Sequence, residues 1–152
     1  NQEADARAAG LSVIDARIFA PAFAMVALTI VVTFAMFFER LRQMRSERIR
    51  FADIPSGSQM AARFADTRAA DNYRNLFEMP VLFYLALLVA AIAGLVTPLS
   101  LGLAWTYAAL RFVHSAIHCG YNRVKHRFYA FLASNVVLWA LWAWLGFRLL
   151  IA

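Results

Sequence analysis

Residues 79–110 read MPVLFYLALLVAAIAGLVTPLSLGLAWTYAAL, 32 consecutive positions without an Asp, Glu, Lys, Arg or His. A helix rises about 1.5 Å per residue, so one unbroken helix of this length reaches about 48 Å against a hydrocarbon core of about 30 Å. The stretch is therefore too long for one membrane crossing and suits two. Thr97-Pro98-Leu99-Ser100 supplies the division, because proline has no N–H to donate and disfavours helical geometry in the residue before it. Two more uncharged runs flank it, Ile18 to Phe38 (21 residues) and Phe128 to Phe147 (20 residues), each long enough for one crossing. The expected fold is an all-α integral membrane protein, a four-helix transmembrane bundle. It forms one membrane domain over 1–152, with spans near 17–39, 75–96, 99–120 and 127–149 and a basic loop at 40–74.

Composition agrees. Of 152 residues, 62% are hydrophobic and 16% charged, whereas soluble domains hold about 45–50% apolar residues. The runs lack sustained period-2 alternation and are about twice the length of a barrel strand, so they are helices. Backbone groups in lipid must be paired within each segment, and small residues such as Ala86, Ala90, Ala91 and Gly94 suit close helix packing. The net charge of +6 belongs to residues that bracket the spans, so it is read as topology and not as a nucleic-acid surface. Eight of the 15 Lys and Arg lie between the first two spans and three between the last two. The positive-inside rule puts both loops on the cytoplasmic side and both termini opposite. Ala4 to Asp15 reads equally as a short surface helix or a disordered tail, and the acidic residues before the first span argue against a signal peptide. Ile54-Pro55-Ser56-Gly57-Ser58 marks a turn. The single cysteine, Cys119, excludes an internal disulfide and reads as packing.

Ionisable groups in or beside a span are costly, so they are where function is sought. Arg68, Asp71, Asn75 and Glu78 are spaced to fall within about an 80° arc of one continuous helix. Arg111, His114 and His118 form a second stripe, with Ser115 beside them and Arg123, Lys125, His126 and Arg127 at the mouth below. If the two faces meet, they enclose a guanidinium-rich pocket with aromatic walls, suited to a polar, multiply carboxylated ligand beside an oily one. Plainer readings stand alongside. Arg123, Lys125 and Arg127 are also topology anchors, Glu78 with Arg111 is also a structural ion pair, and His114 and His118 lack the companions of a metal site, so no metal is expected. Trp105, Trp139, Trp142 and Trp144 read as interfacial aromatics or a ligand wall, and Asn135 as an interhelical hydrogen bond.

Taken together, these residues resemble the MAPEG family, the membrane-associated proteins in eicosanoid and glutathione metabolism, over roughly Ile18 to Leu150. Arg68, then Asn75-Leu76-Phe77-Glu78 and Pro80, is similar to the family's Arg followed by Asn-x-x-Glu at the second helix. Arg111-Phe112-Val113-His114, followed by Gly120, Arg123 and Arg127, is similar to the third-helix pattern of its prostaglandin E synthase branch. Arg40-Leu41-Arg42 matches more loosely. The chain looks like a bacterial-type member, close in kind to the microsomal glutathione transferases. The resemblance implies a homotrimer with glutathione held between subunits near the cytoplasmic face. Arg40, Arg68, Asn75, Glu78, His114, His118 and Arg123 would be its contacts and Arg127 the catalytic arginine. A guanidinium beside the thiol favours the nucleophilic thiolate, which would act on a lipophilic small molecule arriving through the bilayer. The chain departs from the eukaryotic pattern at Asp71, where a second arginine is usual, and at His118 and Phe131, where tyrosines occur. Two functions are expected accordingly. One is a glutathione-dependent transferase or peroxidase. The other is a non-catalytic membrane protein of the same fold that binds lipid or quinone or serves in a larger membrane complex.

Overall fold

A computed structural model of the chain describes residues 14–48 and 66–151, and every regular element within them is helical. A 3-10 turn, Ala16–Phe19, leads into α1, Ala20–Ser46. Then follow α2, Arg68–Asn75; α3, Met79–Ile92; α4, Pro98–Cys119; and α5, Val124–Leu150. The Ile54–Ser58 turn, and Ala4–Asp15 apart from Ile14 and Asp15, lie outside the described residues.

The long apolar run divides at Pro98, as expected, by a sharper device than proline alone. Thr97 caps α4: its Oγ1 accepts from Ser100 N at 3.2 Å while Ser100 Oγ accepts from Thr97 N at 2.8 Å, so two otherwise orphaned donors are satisfied reciprocally. The preceding helix ends earlier than the predicted 96. Gly94 takes φ +65°, and Leu95 N closes the helix end on Ala90 O at 2.8 Å, a glycine-terminated C-cap. Gly94 is exposed, so it ends a helix instead of admitting a neighbouring backbone. Ala86, Ala90 and Ala91 are buried as close-packing residues.

A second difference bears on the site. The predicted continuous face through Arg68, Asp71, Asn75 and Glu78 is interrupted, because α2 ends at Asn75 and α3 starts at Met79. Pro80 has no N–H to extend the earlier ladder and restricts the residue before it. Glu78 accordingly sits between the helices at φ −92°, ψ −96°, out of helical register with Asn75.

The core is one apolar cluster fed by four helices: Met25, Leu28 and Val32 of α1, Phe83 and Leu87 of α3, Tyr107 of α4, and Leu138 and Leu141 of α5. Phe83 stacks on Tyr107 with centroids 4.4 Å apart, a favourable offset geometry. Trp142 donates its indole N–H to Leu82 O at 3.2 Å, pinning α5 to α3, whereas Trp105 and Trp139 are exposed. Asn135 is buried, with Oδ1 unpaired, in place of the interhelical bond expected there.

The outside is apolar too. Phe23, Val31 and Phe34 on α1, Leu85 and Leu88 on α3, and Val136 on α5 are all exposed, a surface that water would penalise and lipid accepts. Three segments, Ala16–Ser46, Arg68–Ile92 and Val124–Leu150, are long and apolar enough to cross a membrane, against four expected crossings. α4 has the length at 22 residues but is not among them, and Arg111, His114, Ser115 and His118 occupy its buried face. The chain is an integral membrane protein.

Candidate functional site

The site is built on the α4–α5 turn. Gly120 ends α4 at φ −88°, ψ −116°, where a Cβ would stand 2.6 Å from the Ala116 carbonyl oxygen, so no larger residue fits without movement. Asn122 follows in the left-handed region at φ 49°, which asparagine tolerates better than most residues. Its amide N–H reaches back to Ile117 O at 2.9 Å. Its side-chain Oδ1 accepts from Arg127 Nη1 at 3.0 Å. The turn thus presents Arg127 in the first turns of α5 beside Arg123 and Lys125, three cations where the helix dipole disfavours them. Helix stability does not account for that placement.

Two histidines of α4 hold Arg127 from the other side. Arg127 Nη1 donates to His118 Nε2 at 2.9 Å, and His114 Nδ1 lies 3.1 Å from the Arg127 carbonyl oxygen. A carbonyl only accepts and a guanidinium only donates, so in the neutral rings the proton is on Nδ1 of each. That leaves His114 Nε2 as a buried acceptor and His118 Nδ1–H as a buried donor, both unpaired. Asn75, His114, Val124, Arg127, Phe128 and Phe131 line an open cleft of about 200 Å³. It combines a cation, unpaired acceptors at His114 Nε2 and Asn75 Oδ1, and two aromatic rings. A ligand that brings an anion and a hydrogen-bond donor next to an apolar partner matches it.

Arg111 is fully buried one turn deeper. It donates to Asn75 O at 2.9 Å and stands over the Phe131 ring at 5.9 Å, with Nε and Nη1 unpaired. Glu78 is exposed, and among the described residues no Arg111–Glu78 ion pair forms.

The remaining predicted residues lie elsewhere. Arg68 forks onto Asp66, with Nε to Oδ1 at 2.8 Å and Nη2 to Oδ2 at 2.6 Å, and sends Nη1 to Gly120 O at 2.6 Å. The Arg68 guanidinium holds the Asp66 carboxyl well below the usual carboxylate range. Arg40 is half-buried and lines a small recess with Glu39, Asp66, Thr67, Asp71 and Arg74, where Asp71 accepts from Thr67 Oγ1 at 2.9 Å. Arg123 is exposed. Within the chain, then, Asn75, His114, His118 and Arg127 come together, while Arg40, Arg68, Glu78 and Arg123 do not join them.

Sequence reasoning missed Asn72, Gln43, Asp66 and Asn122. Asn72 is fully buried and bridges to Ser115 Oγ at 3.3 Å and Cys119 Sγ at 3.4 Å, joining α2 to α4. It lies about 40° around the helix from Arg68, just outside the arc marked by the charged residues, and a wider arc would have caught it. Gln43 is 8% exposed on α1, and because it sits in the polar stretch Glu39–Arg45, past the uncharged run, nothing in the hydropathy marks it as buried.

Fold and site together define an integral membrane helical protein with an arginine–histidine cleft at one end of its helices. The chain belongs to the MAPEG family, whose sequence model matches residues 18–147, from the 3-10 turn through most of α5. No curated protein and no solved structure gives a match.

Proposed function

We propose that this chain is a glutathione-dependent membrane transferase or peroxidase acting on lipophilic electrophiles, with Arg127 as the residue that holds the thiolate. The observation that carries this reading is the cleft itself: the Arg127 guanidinium is steered by His118 and Asn122 into an open space walled by Phe128 and Phe131. A guanidinium there lowers the cost of ionising a thiol, and the aromatic wall receives an apolar co-substrate from the bilayer. The thiolate sulfur bonds to the electrophilic carbon, and the leaving group departs with the electron pair of the broken bond. Asn75 and His114 offer acceptors to the donors of the peptide. In a homotrimer, the exposed Glu78 and Arg123 and the half-buried Arg40 would meet the same ligand from a neighbouring copy, and the basic loops would face the cytoplasm.

A second reading is favoured by two observations. Arg68, expected to bind the peptide, is already engaged by Asp66 and Gly120. An apolar groove of about 390 Å³, lined by Val26, Ile30, Phe77 and Val81 with Thr29 and Tyr84, opens on the lipid side. Both suit a non-catalytic member that holds lipid or quinone, or a subunit of a larger membrane complex.

Titration calorimetry of glutathione into detergent-solubilised protein, with Arg127→Ala and Asn75→Ala alongside, decides between them. Binding in the micromolar to millimolar range, with thiolate absorbance that Arg127→Ala abolishes, supports the enzyme. Absence of binding at several millimolar, with lipid or quinone retained through purification, supports the second reading. Mass determination in the same detergent tests assembly: three copies are expected, and a stable monomer refutes the trimer.

A further inference from the structure

Arg127 is fixed by a chain of contacts that starts on a different helix. Gln43, near the end of α1, clasps the backbone of Asp66 on both sides: its Nε2 donates to Asp66 O at 2.8 Å and its Oε1 accepts from Asp66 N at 3.1 Å. The clasp satisfies both backbone groups of Asp66, the N–H and the C=O, as a strand partner would. The Asp66 carboxylate then takes the Arg68 guanidinium in a two-point fork and also accepts from Arg68 N at 3.2 Å, a geometry that leaves the guanidinium little rotational freedom. The remaining arm, Nη1, is aimed at the Gly120 carbonyl 52 residues away, at 2.6 Å. Gly120 opens the turn that carries Asn122, and Asn122 with His118 holds the Arg127 guanidinium.

We propose that Gln43 and Asp66 are positioning residues for Arg127, acting through Arg68 and the Gly120 carbonyl to set the α4–α5 turn. On this account Arg68 is a strut between α2 and that turn, not a ligand contact. Three features support the assignment. The fork uses Nε and Nη2 of Arg68 and the carbonyl uses Nη1. The Gly120 carbonyl belongs to a residue already tied to the last turn of α4, its N–H donating to Ala116 O at 3.0 Å. And Asn122, at a positive φ, is tied on both sides, its N–H to Ile117 O and its Oδ1 to Arg127 Nη1.

The inference rests on the reading of Arg127 as the thiolate holder for its kinetic consequence but not for its structural one, and the test separates them. Arginine side chains of the full-length protein in detergent are labelled with 15N, and the Arg127 Nε–H signal is assigned by its loss in Arg127→Lys. Gln43→Leu and Asp66→Asn are expected to shift and broaden that signal, while Glu47→Gln, at the exposed end of α1, leaves it in place. In turnover with glutathione and a soluble aromatic electrophile, the same two variants are expected to lose about tenfold in kcat with KM for glutathione within about twofold, since small misplacement of a catalytic group costs rate more than binding. Gln43→Leu is the milder change and answers the question if Asp66→Asn does not fold. An unmoved Arg127 signal in folded Gln43→Leu overturns the proposal. If the parent protein binds no glutathione, the enzyme reading fails, and the Arg127 signal still decides the positioning claim.

Discussion

Gly120→Ala is the substitution whose cost is most directly set by the geometry. The alanine Cβ would stand 2.6 Å from the Ala116 carbonyl oxygen, well inside contact distance, and that oxygen is backbone in the last turn of α4. Forcing an extra methyl into an occupied site shifts the surrounding backbone at a cost of about 1–3 kcal/mol. Relief requires the turn to move away from Ala116, which strains or breaks the Gly120 N to Ala116 O bond of 3.0 Å, worth about 1 kcal/mol. The expected loss is therefore about 2–4 kcal/mol, with the Arg68 contact to Gly120 loosened as well. Gly102 provides the comparison on the same helix. A Cβ there meets nothing within 4 Å, so Gly102→Ala should be neutral or stabilising by up to about 1 kcal/mol through helix propensity. Reversible unfolding of both variants in mixed detergent micelles, followed by circular dichroism, measures the difference. A Gly120→Ala protein within about 0.5 kcal/mol of the parent, the usual spread of harmless substitutions, would refute the reasoning by showing that the turn yields freely.

Other outcomes follow from single contacts. Gly94→Ala should cost about 1–2 kcal/mol although a Cβ there meets nothing within 4 Å, because φ is +65°; a thermal midpoint equal to that of Gly102→Ala would exclude backbone strain as the cause. Asn72→Leu, which leaves the Ser115 hydroxyl without its side-chain acceptor and removes the contact to Cys119, should destabilise by about 1–3 kcal/mol, read in the same unfolding assay. Arg68 lowers the Asp66 carboxyl from its ordinary value of 3.8, so the pair contributes stability above about pH 4 and loses it as pH falls below that value toward the lowered pKa. Thermal midpoints at pH 7 and pH 3 should differ more for the parent than for Asp66→Asn, and equal differences would remove Asp66 from the acid response.

Much of the fold was legible because lipid imposes length. The uncharged runs and Pro98 marked where α1, α3, α4 and α5 run, although α1 continues to Ser46, past the expected 39, and α5 extends slightly beyond the expected 127–149, as Val124–Leu150. The helix ends were less legible because they depend on single residues acting through backbone geometry. Gly94 ends α3 by adopting a positive φ, yet in the sequence it reads equally well as a small packing residue. The break before α3 is hard to read for a related reason: Pro80 belongs to the motif that resembles the family's, while its effect on Met79 and the preceding turn ends the helix at Asn75.

That break also explains which site residues could be placed from sequence. Arithmetic at 100° per residue holds while a helix is continuous, so the Arg111, His114 and His118 stripe on unbroken α4 was read correctly as one buried face. The companion stripe crosses Leu76 to Glu78, and the register is lost there. Asn75, on the near side, meets Arg111 through its carbonyl, while Glu78, on the far side, is exposed. Arg127 was legible by motif, but its partners His118 and Asn122 reach it through a four-residue turn whose shape depends on Gly120 and a left-handed Asn122. No periodicity encodes that. The strut from Gln43 to Gly120 is further removed still, since the contacts at its two ends, Gln43 to Asp66 and Arg68 to Gly120, are to backbone atoms, which carry no residue-type signal. Side chains that act on side chains at helical spacing can be read from sequence, whereas side chains that act on distant backbone emerge only when the helices are packed together.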